Sequence, residues 1–161
     1  TLANPLKHIF NLSLSNAIVP DLFKLSIITP VFKKGETNLI NNYRPISMIS
    51  NIAKILEKII KDRLVKFLET NNIIHKSQYG FQKGKGTDQA IAEVTQFIYK
   101  TLDESKKCAT VYLDLAKAFD TVDHNILLLK LNKLGLRNEA LQLFSSYLSN
   151  RKQCVKINES I

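Results

Sequence analysis

The sequence predicts an α+β fold, helix-rich with short strands. Three stretches place apolar residues at steps of three and four, the spacing that lines one face of a helix, and three short runs are dense in β-branched or apolar residues between polar breaks. With 45% hydrophobic and 23% charged residues over 161 positions, the composition is that of a globular chain, and one domain is the default for this length.

Residues 5–16 carry Leu6, Ile9, Phe10 and Leu14 at helical spacing, and Pro20 ends that helix. Residues 25–32, LSIITPVF, read as a short strand with Pro30 at an edge, delivering Lys33 and Lys34 to a turn at Gly35. A polar loop, GETNLINNYRP, closes on Pro45, which holds Arg44 extended. Ser50 or Asn51 caps a long helix whose core stripe is Ile52, Ile55, Leu56, Ile59, Ile60, Leu64, Phe67 and Leu68. Lys54, Lys58, Lys61 and Asp62 lie on its other face, and Asn71-Asn72 ends it. A glycine-rich loop at 78–86 leads to a helix opened by Thr87 and Asp88, with Ala90, Ile91, Val94, Phe97, Ile98 and Leu102 inward. Residues 108–113 read as a buried strand ending on Asp114. Two helices follow, around 124–134 and 138–148, with Gly135 at a C-cap position. Residues 151–158 read as a last strand.

Twenty-three Lys and Arg oppose 14 Asp and Glu, a net charge of +9, and such a chain accumulates on polyanions. Nearly all of the excess falls between Lys24 and Lys85, where twelve bases face four acids. On charge alone, a nucleic-acid surface and a merely solvated helix face are both open. Cys108 and Cys154 lack the spacing of a zinc ribbon or disulfide scaffold, which fits a reducing compartment. No apolar run is long enough to span a membrane and no signal-peptide pattern opens the chain, so an intracellular location without membrane association is expected. Thr1 at the start and an interrupted pattern at the end suggest a segment of something longer.

An aspartate at the C-terminal tip of a hydrophobic strand suits metal-dependent phosphoryl chemistry, because the strand fixes the carboxylate and leaves it exposed, and Asp114 has that placement. An aspartate that only caps the turn is the competing explanation. Asp123, ahead of Asn125-Ile126-Leu127, reads as a helix N-cap, and Asp120 stays open. The glycine-rich loop fails the phosphate-loop pattern, since Lys85 stands where the second glycine belongs. His8, His75 and His124 lack metal-ligand spacing.

Three segments in order, Asn42-Tyr43-Arg44-Pro45-Ile46-Ser47, Gln78-Tyr79-Gly80-Phe81, and Leu113-Asp114-Leu115-Ala116-Lys117-Ala118-Phe119-Asp120, resemble the reverse transcriptase domain of non-LTR, jockey-like retrotransposons. The flanks Ile28-Thr29-Pro30-Val31-Phe32-Lys33-Lys34-Gly35 and Ser146-Tyr147-Leu148 agree, and the resemblance runs from about Val19 to Ile157. It implies a right-hand polymerase, with fingers over residues 1–107 and a partial palm over 108–161. It also implies an RNA template, a DNA primer and dNTPs as partners, and two Mg²⁺ ions that activate the primer 3′-hydroxyl and stabilise the leaving pyrophosphate. Asp114 matches the first catalytic aspartate, the Leu115 carbonyl an additional metal ligand, and Phe119 the aromatic gate that clashes with a ribose 2′-hydroxyl. Lys33 or Lys34, with Arg44, match the residues that clamp the incoming triphosphate, and Lys83 and Lys85 would lie near the template or primer backbone.

Departures from the family pattern are Phe23 in place of the usual Trp, Gln82 in place of Arg, and Gly86-Thr87 in place of Ser-Thr. The Gly-x-Pro-Gln-Gly segment and the Ala-Asp-Asp box, which supplies the other metal-binding carboxylates, would lie past Ile161. The chain by itself is therefore expected to be inactive. A non-catalytic nucleic-acid-binding remnant of a decayed element is the alternative, and a helical protein-interaction module a blander one.

Overall fold

The computed structural model describes residues 2–156, and the last two positions of the strand expected at 151–158 lie outside them. The described elements are five α-helices, two short 3₁₀ helices (Asp21–Lys24 and Ile40–Asn42) and one three-stranded sheet: α1 (Ala3–Ser15), β1 (Leu25–Phe32), β2 (Tyr43–Met48), α2 (Asn51–Thr70), α3 (Thr87–Asp103), α4 (His124–Lys133), α5 (Asn138–Leu148) and β3 (Lys152–Val155). This is the expected α+β class. The chain divides into two compact units, Thr1–Leu64 with Val122–Ile161, and Val65–Thr121.

In the first unit the sheet order is β2-β1-β3. β1 pairs antiparallel with β2, Val31 opposite Arg44 and Phe32 opposite Tyr43, and parallel with β3 through Leu25–Lys152 to Ile28–Val155. β1 is thus the middle strand, and tolerates Pro30 for a local reason. Lys33 N–H donates to Asn42 O at 2.8 Å, so the odd positions of β1 are those bonded to β2, and Pro30 meets Pro45 at a non-hydrogen-bonded pair where neither needs an N–H. Towards β3 the pairing stops at Ile28, whose carbonyl accepts from Lys156 N–H at 2.9 Å, two residues short of Pro30. β2 occupies part of the stretch expected as loop, and residues 43–48 owe their strand to pairing with β1. β3 joins that sheet as well, so the expected finger and palm segments share one sheet.

The core of this unit is Ala17, Val19 and Leu143, flanked by Leu14, Phe23, Ile60 and Tyr147. Val19 N–H donates to Ser146 Oγ at 3.0 Å, tying the chain after α1 to α5. Phe10 of α1 is buried and stands edge-on to Phe23 at 6.5 Å. On α2 only Ala53 and Leu56 are buried, while Ile52 and Ile55 remain exposed, so the expected eight-residue stripe is only partly covered. Helix ends follow the sequence signals. Ser50 Oγ accepts from Ala53 N–H at 3.1 Å, which selects Ser50 over Asn51 as cap. Asp123 accepts from the N–H groups of Asn125 and Ile126 at 2.8 and 3.0 Å. At the C-terminus of α4, Gly135 has φ +109°, its N–H donates to Asn132 O, and Leu136 N–H reaches back to Leu131 O, with Leu131 and Leu136 both buried.

The second unit holds the end of α2, the turns of 71–86, α3, and residues 104–121. The apolar face of α3 is expected inward, yet the helix has no buried residue. Residues 108–113 correct a second expectation: they form no strand, and Val111, Tyr112, Leu113 and Leu115 are all exposed. A buried strand exists only where neighbours satisfy its backbone, and among the described residues none pairs with this run. Asp114 therefore stands on irregular, exposed backbone and not at a strand tip.

Candidate functional site

The β1–β2 hairpin positions the first group of candidate residues. Opposed residues of an antiparallel pair share a face and successive ones alternate. Arg44 lies opposite Val31, and Lys33, one step beyond β1 and still bonded to Asn42, has the same parity as Val31. Lys33 and Arg44 are thus diagonal neighbours on one face, whereas Lys34 sits past the last ladder bond, in the bend before Gly35. The tip is held by side chains: Asn42 Nδ2 donates to Glu36 O and Tyr43 OH to Thr37 O, both at 2.8 Å, and the Tyr43 ring stands edge-on to Phe32 at 5.5 Å. Gly35 has φ +95°, and a Cβ there would lie 2.7 Å from Asn42 Nδ2. Asn42 and Tyr43, part of the Asn-Tyr-Arg-Pro motif, are structural holders of the hairpin that sequence reasoning did not single out.

The basic excess is partly spent inside the fold. Lys24 is buried, with Nζ 3.3 Å from Asp21 Oδ1, and leaves the exposed surface. Lys54, Lys58 and Lys61 line a groove of about 530 Å³ together with Phe144 and Tyr147, but Glu57 and Asp62 share it.

In the second unit, the glycine-rich loop is folded on itself. Lys85 Nζ donates to Lys76 O at 2.6 Å and sits 5.2 Å from the centre of the Tyr79 ring; Gln78 Nε2 donates to Gly80 O at 3.1 Å. Lys83 is exposed. Lys85 gives one of its N–H donors to the loop and, like Lys83, stays exposed. Phe81 adopts φ +62° and its ring meets that of Phe119 edge-on, at 6.2 Å and 86°. Phe119 rides on a turn in which Asp120 N–H donates to Lys117 O at 2.9 Å and the Thr121 hydroxyl lies 3.3 Å from the carbonyls of Lys117 and Ala118. Asp114 and Leu115 precede this turn and are exposed.

Whether these residues fit a metal pair can be tested from the donor set. Among the described residues no three His, Cys, Asp or Glu side chains converge on a point that could hold a metal ion. Asp123 is consumed as a cap, and Asp114 offers one carboxylate. That is too few fixed ligands for two divalent ions, so the described residues do not fit a two-ion centre by themselves.

The family model for reverse transcriptase (RNA-dependent DNA polymerase) matches residues 31–160, and the chain belongs to this family. Among curated proteins it is 30% identical over 94% of its length to the probable RNA-directed DNA polymerase from transposon BS of Drosophila melanogaster. It is 32% identical over 95% of its length to the probable RNA-directed DNA polymerase from transposon X-element of the same fly. To the RNA-directed DNA polymerase from mobile element jockey of Drosophila funebris it is 32% identical over 89% of its length. The chain spans about 17% of the length of the first two and about 16% of the third. The jockey-like, non-LTR resemblance carried by the three motifs is thereby borne out. Among the described residues no helix is long and apolar enough to cross a membrane.

Proposed function

We propose that this chain is the nucleotide-gripping part of an RNA-directed DNA polymerase, with the β1–β2 hairpin supplying the cations for an incoming deoxynucleoside triphosphate. Residues 1–107 act as fingers and 108–161 as the beginning of the palm. Lys33 is the lysine that pairs with Arg44 on the triphosphate. The observation that carries this is the shared parity of Lys33 and Arg44 on one hairpin face, with Lys34 beyond the ladder. A guanidinium engages phosphate oxygens two at a time and an ammonium adds a mobile point charge, so the two complement each other on one polyanion. The tip bonds of Asn42 and Tyr43 hold the pair in place before the nucleotide arrives, which lowers the entropy lost on binding.

Phe119 acts as the sugar gate, Lys83 contacts the template or primer backbone, and Lys85 orders the loop that carries Lys83. Asp114 and the Leu115 carbonyl would help to hold magnesium only alongside further carboxylates, which the described residues do not gather around them. RNA template, DNA primer and dNTPs are the partners of the polymerase to which the segment contributes.

The test is a graft in which this chain replaces the matching segment of a jockey-type polymerase. Primer extension is retained, Lys33→Ala raises KM for dNTP about tenfold with little change in kcat, and Lys34→Ala leaves both within about twofold. Equal effects of the two lysines, or an effect at Lys34 alone, would reject the assignment.

A further inference from the structure

We infer that Phe81 is a positioning residue for sugar selection: its ring braces Phe119 and so sets how strictly ribonucleotides are refused. This rests on the proposed role of Phe119 as the gate. A steric gate discriminates only if its ring stays put, because a swing of about an ångström makes room for one hydroxyl. Phe119 is 80% exposed, on a turn whose hydrogen bonds fix the backbone around it but leave the ring's own torsions free. The contact that restrains the ring is the edge-to-face one with Phe81.

Phe81 is held for this contact in two ways. Its backbone lies in the left-handed region, φ +62°, which a bulky L-residue rarely adopts and which points to a constraint from the surrounding loop. The loop supplies it: Gln78 N–H donates to His75 O at 3.0 Å, Gln78 Nε2 to Gly80 O, and Lys85 ties the far side of the loop back to Lys76. Phe81 is itself 89% exposed, so the ring contributes little to a core and is placed where a core residue would not be. The glycine-rich loop, which fails as a phosphate loop, thus gains a role in presenting one aromatic edge to the gate.

Two measurements test this, and the exposure of both rings keeps the fold intact in the variants. On the chain itself, 4-fluorophenylalanine placed at position 119 reports ring environment by fluorine NMR. Phe81→Ala shifts and narrows the resonance, and Phe81→Tyr, which keeps the ring, restores it; a resonance indifferent to Phe81→Ala overturns the brace. In the grafted polymerase, Phe81→Ala lowers the preference for dNTP over rNTP about three- to tenfold while kcat for dNTP stays within about twofold. Phe81→Tyr recovers the preference, and adding Phe81→Ala to Phe119→Ala has no further effect. If Phe119→Ala itself fails to admit ribonucleotides, the gate assignment falls. If Phe119→Ala admits them and Phe81→Ala does not, the inference about Phe81 alone falls. The fluorine spectrum decides the brace even if the graft makes no DNA.

Discussion

The phenol of Tyr147 donates a 2.7 Å hydrogen bond to Glu57 Oε1, joining α5 to α2 across residues 90 positions apart. The Arg151 guanidinium lies 4.7 Å from the centre of the same ring and donates to the Tyr147 carbonyl at 3.3 Å, so one half-buried aromatic links two helices and the approach to β3. Burial, then the hydrogen bond and charge of Glu57, push the phenol from 10.0 up to about 12, against the opposing pull of Arg151.

Tyr147→Phe removes this bond and costs about 1 kcal/mol, read as a lower denaturation midpoint. The pH dependence has a definite sign. With the folded pKa raised, the contribution is fully present below pH 10 and is lost as pH rises towards 12. Discounted for the partial exposure of the ring, the wild-type chain loses about 1–2 kcal/mol more than Tyr147→Phe across that window. Parallel stability curves for the two proteins between these pH values would refute the linkage.

Gly35→Ala strains the hairpin twice, through the positive φ and through the 2.7 Å approach of the new methyl to Asn42 Nδ2. A destabilisation of about 1–2 kcal/mol is expected, together with faster hydrogen exchange at the Lys33 amide, whose bond to Asn42 O closes the ladder. Unchanged exchange at that amide would show that the tip does not depend on the glycine.

Asp123→Ala removes both N-cap bonds of α4 and lowers stability by about 1 kcal/mol, whereas Asp123→Ser or Asn recovers most of it. This separates a capping role from a metal-binding one: a magnesium ligand would not be replaced by serine without a change in metal affinity, measured by calorimetry.

The isolated chain is expected to extend no primer on an RNA template in magnesium, because two-ion nucleotidyl transfer needs several fixed carboxylates and Asp114 supplies one. Detectable templated DNA synthesis by the purified 161-residue chain would overturn this expectation.

Short-range chemistry was legible from the residues alone. Asp123 and Gly135 announce the two ends of α4 because caps act within a turn of their own position, and β-branched residues mark 25–32 as a strand. The ordered motifs around Arg44, Phe81 and Asp114 point to the family without any coordinates. Tertiary structure decided what depends on partners far away in sequence. It made β1 the middle strand by bringing β3 to its second edge, put Lys33 rather than Lys34 on the face of Arg44, and left 108–113 irregular because no described strand pairs with it. The edge-on meeting of Phe81 and Phe119 and the bond between Tyr147 and Glu57 belong to the same class. Helix caps and propensities are set by neighbours along the chain, whereas strand pairing and side-chain contact are set by neighbours in space, and only the folded chain specifies those.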